Sequence, residues 1–443
     1  MPKAPATTLD DAHDLLDPRP LEFVPTAKAP DAAADPSLYT EPPPMESTER
    51  KRPGPMDRIR ARLLKQTNPT KVFLSGHVGS GKSTQINRLA ADPQMRQAFT
   101  IVQLRFEEQE WAFLDAAQVL FRMAGALFEF GQENKLLNES ARWGKILKAL
   151  DEKLLGVSGV QAKEGAVGLE INAFFVKLRT DLKLSEARRK QFRVIGETQQ
   201  SLLQDLIAAL VDDIETNLVA AGRAGSVLML IDDLDKVRGA EQQQDIFETN
   251  LNALLVPPLR ALYTTPTGVA FGATRADVRQ QLEHLYPIRT LSKAAHTFDP
   301  AQAYVPERFG FFVDLLRHRA APGLFDEESV RLAAIYSGGV IRDFFHLLRG
   351  GILIALYNEL DTVDAVTMRE AIRDARFRES AGLYAPDYGV LLDVHRTHEI
   401  SEGHRRYLDL SRILECYNDA VWFEVNPLLW SLLERRAHSA GAA

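Results

Sequence analysis

The run Gly76-His77-Val78-Gly79-Ser80-Gly81-Lys82-Ser83-Thr84 fits G-x-x-x-x-G-K-[ST] at every position. An apolar strand pattern, Lys71-Val72-Phe73-Leu74-Ser75, precedes it, and a helical pattern from about Lys82 to Ala91 follows. The chemistry of that spacing is phosphate binding. Gly76, Gly79 and Gly81 let the backbone bend until its amides converge on phosphate oxygens, and the helix N-terminus adds partial positive charge. Ser80 lies inside the same cradle. Lys82 is placed to reach β- and γ-phosphates, the Ser83 hydroxyl to ligate Mg²⁺, and Thr84 to make a further phosphate contact. His77 occupies a variable position of the pattern and is assigned no chemistry.

A second stretch supplies the acids. Val227-Leu228-Met229-Leu230-Ile231 reads as a buried strand, and Asp232-Asp233-Leu234-Asp235 emerges at its end. In open α/β sheets, ligands bind at that C-terminal edge. Asp232 is expected to hold Mg²⁺, directly or through water, and Asp233 or Asp235 to orient an attacking water. Phe99–Leu104 reads as another strand, Val269–Ala273 as a fourth and Ile288–Leu291 as a fifth. Thr274, just past the fourth, is a candidate for positioning the water. Arg275 is either a charge sensor or an ordinary loop arginine. Strands alternating with helices predict an α/β domain with a parallel sheet.

Together these residues resemble the AAA+ and STAND branches of P-loop ATPases. Gly76–Thr84 matches their Walker A motif, Ile231–Asp235 their Walker B motif, and Thr274 their sensor-1 position. Ser337-Gly338-Gly339-Val340-Ile341-Arg342-Asp343 looks like the lid of origin-recognition-type AAA+ proteins, where the matching arginine, here Arg342, senses the nucleotide. The resemblance spans roughly Met56–Arg376. It implies a P-loop NTPase sheet, an α-helical lid, ATP and Mg²⁺ as ligands, and hydrolysis of the β–γ bond. Two departures stand out. Walker B carries Asp232-Asp233 where AAA+ proteins usually have Asp-Glu, which is closer to STAND and KAP-type NTPases. Lys82 and Asp232 lie 150 positions apart, which implies a mostly helical insertion at about 107–221. An AAA+ assembly also draws an arginine finger from a neighbouring subunit. Arg279 and Arg289 lie in the right stretch, with surface ion pairing as the alternative for each.

The remainder of the chain is read around this core. Residues 1–55 hold 12 of the 23 prolines and few large apolar groups, so a disordered or extended arm is expected, with Leu15-Leu16 and Leu21–Val24 as its candidate anchors. The ATPase core is expected over 56–300, a helical lid over 301–379 and a small winged-helix-like module over 380–443. In that module, strand-like runs flank Asn418-Asp419-Ala420 as a hairpin. The insertion carries a glycine-bearing stretch, Gly156–Leu178, read as a loop or hairpin. It also carries a basic run, 177–193, with Lys177, Arg179, Lys183, Arg188, Arg189, Lys190 and Arg193 against Asp181 and Glu186.

Charge limits the partners. The net charge is −7, which argues against coating nucleic acid through bulk charge. Residues 380–443 carry six basic and nine acidic side chains, so the C-terminal module reads as a protein-interaction or packing unit rather than a duplex reader. Nucleic acid at 177–193 is the lesser alternative to a solvated helix face. No apolar run reaches the length of a membrane span, and the lone cysteine, Cys416, suits a reducing cytoplasm. The functional expectation is an ATP-hydrolysing homo-oligomer, ring or filament, whose nucleotide state switches a separate effector protein. By analogy this extends to bacterial anti-phage defence or stress. A DNA-binding loader ATPase and a non-hydrolysing, nucleotide-locked scaffold are the rival readings.

Overall fold

The computed structural model describes residues 4–23, 36–44, 53–66, 69–138, 145–146, 149, 185–272, 276–293, 297–418 and 420–441. Five strands form one parallel sheet: β1 (Lys71–Ser75), β2 (Thr100–Leu104), β3 (Val227–Ile231), β4 (Arg260–Thr265) and β5 (Leu282–His284), in the order β2-β3-β4-β1-β5. β4 thus stands between the strand before the glycine loop and the strand before the acids. Because parallel strands share one C-terminal edge, the ends of β1, β3 and β4 open on the same side. The register aligns Ser75 with Thr265 and Ile231 with Tyr263.

Side chains alternate across this sheet, as the strand period requires. Phe73, Met229, Ile231, Ala261 and Tyr263 face the long helices Ala116–Glu133 and Glu186–Ala220. Val72, Leu74, Leu228, Leu230 and Leu262 face the other layer. There α2 (Pro55–Lys65) contributes Ile59 and Leu63, and α3 (Lys82–Ala91) contributes Ile86 and Leu89. Buried on both faces, β1 and β3 need continuous apolar runs, which is why they are plain in the sequence.

Two strands differ from expectation. The fourth is Arg260–Thr265, whereas the short helix Thr267–Phe271, with Pro266 at its N-cap, takes up the first part of the expected strand Val269–Ala273. Pro266 offers no N–H to a sheet ladder and ends the strand, and the amide of Gly268 donates instead to Asp409 Oδ1 at 2.8 Å. The fifth is Leu282–His284, not Ile288–Leu291; Leu291 makes only an isolated antiparallel bridge with Tyr304. Of the expected insertion, Gly156–Leu178 lies outside the described residues, as do positions 177–184 of the basic run. Positions 186–193 begin the helix Glu186–Ala220.

A four-helix lid follows: Phe309–Arg317, Glu327–Tyr336, Ile341–Tyr357 and Ala365–Glu379, packed around Phe312, Phe344, Leu348 and Met368. Asp326 and Asp364 cap two of these helices, accepting from the amides of Ser329 at 2.6 Å and Thr367 at 2.8 Å. Part of the N-terminal arm differs from the expected extended or disordered state. Its residues 9–15 form α1 (Leu9–Leu15), capped by Thr8, with Ala6, Leu9, Ala12 and Leu16 inside the lid core. Those apolar residues are too few to build a core of their own. The lid offers them one, and burying each leucine contributes about 1.5–3 kcal/mol.

Residues 385–441 hold a helix, Ala385–Thr397, an antiparallel hairpin of β6 (Ile413–Asn418) and β7 (Ala420–Val425), and a closing helix, Trp430–Gly441. This winged-helix-like arrangement packs around Trp422 and Trp430, and the indole N–H of Trp430 donates to the carbonyl of Val425 at 2.7 Å.

Candidate functional site

The glycine loop turns from β1 into α3 with Gly76, Gly79 and Gly81 all at positive φ. At Gly79 the need is steric as well: a Cβ there would lie 2.6 Å from the Cβ of Arg342 in the lid. The lid therefore rests on the loop itself, and the Arg342 amide donates to the Gly79 carbonyl at 3.1 Å.

Lys82 is buried. Its Nζ donates to the carbonyls of Gly76 at 2.5 Å and His77 at 2.9 Å, and it pairs with Asp235 Oδ2 at 2.8 Å. Burial works to raise the Asp235 carboxyl, but the charge of Lys82 outweighs it and holds that pKa below the usual carboxylate value. Asp232, two per cent exposed, moves the other way: burial and the charges of Asp233 and Asp235 push it up to about 6. Its carboxylate accepts from the Ser83 hydroxyl and from the Asp233 amide, the latter at 2.8 Å. Asp233 adopts a left-handed conformation, φ 72°, and its Oδ1 pairs with Lys236 Nζ at 2.5 Å.

The loop and the acids thus meet at one edge of the sheet. Lys82, Ser83, Asp232 and Asp235 come together, Asp233 turns toward Lys236, and Ser80 Oγ is buried without a hydrogen-bond partner among the described residues. Thr84 does something unexpected: its Oγ1 accepts from the amide of Leu21 in the N-terminal arm at 3.2 Å. Thr274 and Arg275 lie outside the described residues, and the strand assigned to carry them ends earlier. Thr264 and Thr265 hold the end of β4 instead. Thr264 Oγ1 accepts from the amides of Leu234 at 3.0 Å and Asp235 at 3.4 Å, and the Thr265 hydroxyl is buried. The sequence signal for these two was Tyr263-Thr264-Thr265-Pro266, a β-prone run stopped by proline. Arg105, just after β2, was also missed; it pairs with Glu22 at 2.8 Å and bears electrostatically on Asp232 and Asp233. Arg279 is exposed on the short helix Ala276–Gln281, and Arg289 lines a different cleft beside Tyr286 and Arg308.

Loop, lid and arm line a cleft together with Asp235 and Lys236. Its lining combines polar groups, Lys82, Ser83, Asp235 and Arg342, with apolar ones, Leu21, Leu38, Phe311, Leu315, Ile341 and Phe345. Ligands with a charged and an aromatic half suit such a mixed lining.

His77 explains itself only in three dimensions. Its ring is fully buried, and Nε2 accepts from the backbone amide of Glu415 in β6 at 2.7 Å. Burial and the neighbouring charge of Lys82 push its pKa down to about 3, so the ring is neutral with Nε2 as acceptor. The Glu415 carboxyl lies 3.7 Å from His284 Nδ1, and burial raises it from 4.5 to about 7. A carboxyl raised in the folded state makes stability fall as pH rises, here between about 4.5 and 7. Glu415→Gln is therefore expected to match the parent at pH 4 and to exceed it by about 3 kcal/mol at pH 8. Thermal unfolding across pH checks this, and an unchanged pH profile would contradict it.

Residues 60–254 match the model of the KAP family P-loop domain, a stretch that contains β1, the glycine loop, β3 and the acids. The match accords with the nearness to KAP-type NTPases read from Asp232-Asp233-Leu234-Asp235. No curated protein matches the chain. Among solved structures, a Walker-type ATPase of Pyrococcus abyssi aligns over 90% of this chain and 99% of its own at 12% identity, TM-score 0.40. The ORC2 protein of Aeropyrum pernix aligns over 92% of this chain and 98% of its own at 12% identity, TM-score 0.38. The Cdc6p protein of Pyrobaculum aerophilum aligns over 87% of this chain and 93% of its own at 11% identity, TM-score 0.37.

Proposed function

We propose that this chain, with its P-loop domain at 60–254, binds ATP with Mg²⁺ in the cleft between sheet and lid and hydrolyses the β–γ bond. The observation that carries the reading is the meeting of Lys82, Ser83, Asp232 and Asp235 at the C-terminal edge of the sheet, where Lys82, Ser83 and Asp235 line that cleft. The Ser83 hydroxyl and the Asp232 carboxylate are adjacent oxygen donors. Among the described residues no group of three or more His, Cys, Asp or Glu could hold a metal ion. One carboxylate and a hydroxyl, completed by phosphate and water, is a donor set that fits Mg²⁺. Bound there, the ion supplies neutralisation of phosphate charge.

The chain's own residues then divide the work. Lys82 turns from Asp235 to the β- and γ-oxygens, the loop amides of Gly76, Gly79, Ser80 and Gly81 cradle them, and Arg342 approaches from the lid. Asp235, released from Lys82, or Asp233 orients the attacking water, with Thr264 holding the turn that presents Asp235. ATP turnover switches a homo-oligomer, ring or filament, that acts on a separate protein partner; a defence or stress role rests on analogy alone. Exposed Arg279 is the better placed of the two finger candidates.

Wild-type chain is expected to release phosphate from ATP, and Lys82→Ala to lower the rate by about 10²-fold or more. Sizing with ATP, with ADP and without nucleotide checks the oligomeric switch; one monomeric size in all three states would refute that part. A second reading has its own support: Asp233 is engaged by Lys236 and Asp235 by Lys82. If wild-type chain binds ATP and releases no phosphate, the chain is a nucleotide-locked scaffold.

A further inference from the structure

We infer that the cavity between the edge strand β5 and the hairpin strand β6 binds a small organic cation, an alkylguanidinium or alkylammonium compound, with the Glu415 carboxylate as its counter-ion. The site shares no lining residue with the cleft assigned to ATP. It therefore goes beyond the nucleotide reading and does not depend on it.

The cavity measures about 320 Å³. Phe271 lines it from the short helix after β4, Glu283 and His284 from β5, Tyr286 from the chain just beyond, and Glu415 and Tyr417 from β6. Alternation along a strand puts Glu415 and Tyr417 on one face of β6. The two carboxylates differ in what they meet. Glu283 is neutralised twice, by Arg58 Nη2 on Oε2 at 2.7 Å and by Arg62 Nη2 on Oε1 at 2.8 Å. Arg58 is engaged on its other side too, where Nη1 donates to the Pro53 carbonyl at 2.6 Å. Among the described residues, the basic group beside the Glu415 carboxyl is His284 Nδ1, 3.7 Å away. Burial, with His77 and Lys82 nearby, holds the His284 pKa well below the usual histidine value, so that ring brings no charge.

Glu415 is eight per cent exposed. A carboxylate so buried is costly without a cation, and a ligand that supplies one recovers that cost. The walls favour the same kind of ligand. The rings of Tyr286 and Tyr417 lie 5.2 Å apart at 31°, and Phe271 is partly open to solvent. Aromatic faces carry negative potential that attracts ammonium and guanidinium groups. Those groups also bring N–H donors, which a carboxylate accepts in charge-assisted hydrogen bonds. An anion would meet two carboxylates here. A divalent metal would lack donors, since among the described residues no group of three or more His, Cys, Asp or Glu could hold one.

The probe is butylguanidinium, with uncharged butylurea of the same shape as its control, titrated calorimetrically into the full-length chain. At pH 8 butylguanidinium is expected to bind with a Kd of about 1 mM or tighter, and butylurea at least about tenfold more weakly. Glu415→Gln is expected to lose butylguanidinium binding by at least about tenfold. That variant gains stability at pH 8, so its loss of binding is not unfolding. Tyr417→Ala is expected to weaken binding about fivefold. Between pH 6 and pH 8 the wild-type affinity is expected to rise about tenfold, because a carboxyl raised to about 7 must give up its proton to receive a cation. His77 and His284 stay neutral throughout that range, and Glu283 stays paired with Arg58 and Arg62. A capped Gly-Arg-Gly peptide separates the two sources of a guanidinium, and the free cation is expected to bind at least as tightly. A peptide about tenfold tighter would assign the cavity to an arginine of a protein partner and overturn the small-molecule ligand. Equal binding of butylurea, unchanged affinity in Glu415→Gln, or no binding up to about 10 mM would overturn the site itself.

Discussion

Gly339→Ala is expected to lower stability by on the order of 4 kcal/mol and to separate the lid from the sheet. Gly339 sits at φ +81°, and a Cβ built there would lie 1.7 Å from the carbonyl oxygen of Ile288 and 2.7 Å from its carbon. Both are backbone atoms, so no rotamer change relieves the clash. The same residue makes the junction, since the Ile288 amide donates to the Gly339 carbonyl at 3.0 Å. Two residues on, Ile341 begins the helix whose Arg342 amide rests on Gly79. Moving Gly339 away from Ile288 therefore shifts Arg342 from the glycine loop and weakens nucleotide binding as well. Gly323→Ala is the control. It has φ +100° with no atom within 4 Å of the built Cβ, so only the left-handed penalty of about 1–2 kcal/mol applies. The readout is the thermal unfolding midpoint of the two variants with and without ATP. Equal losses would mean that the contact with Ile288 carries no weight.

Asp235→Asn should act in opposite directions on stability and on nucleotide affinity. Without ligand, Lys82 and Asp235 form a buried ion pair at 2.8 Å, and Asp235 is six per cent exposed. Removing one charge leaves the other uncompensated, a loss on the order of 3 kcal/mol, limited because Lys82 keeps the carbonyls of Gly76 and His77. A triphosphate arriving in the wild-type cleft must break that pair and sit beside an anion. In the variant it finds Lys82 already unpaired and one negative charge fewer. Asp235→Asn is therefore expected to unfold at lower temperature without nucleotide, to gain a larger shift from ATP, and to bind ATP about tenfold tighter. Hydrolysis should fall if Asp235 is the water-orienting acid and persist if Asp233 is. A variant with the wild-type midpoint and a smaller ATP-induced shift would show that the pair does not gate the site.

Much of the core was legible because its signals are local. β1 and β3 are continuous apolar runs that only a doubly covered strand requires, and the glycine loop follows from the backbone geometry of phosphate binding. The acids after Ile231 followed from the polarity of a parallel sheet. The hairpin around Asn418 and Ala420 likewise announced itself through two β-prone runs and a turn. β4 and β5 were misplaced because both are weakly marked. Arg260-Ala261-Leu262-Tyr263-Thr264-Thr265 mixes polar and apolar groups, while Val269–Ala273 looks more strand-like and is not.

By itself the sequence determined the glycine loop, the acids that follow β3 and the class of sheet that presents them, because each depends on neighbours a few residues away. Tertiary structure alone decided which threonines end β4, that Lys82 is held by Asp235 rather than free, and that His77 joins the loop to β6. It also decided that residues of the N-terminal arm line the cleft. These depend on burial supplied by segments tens to hundreds of positions distant. Neither an orphan histidine nor a short apolar helix carries in its own residues any mark of the surface that will cover it.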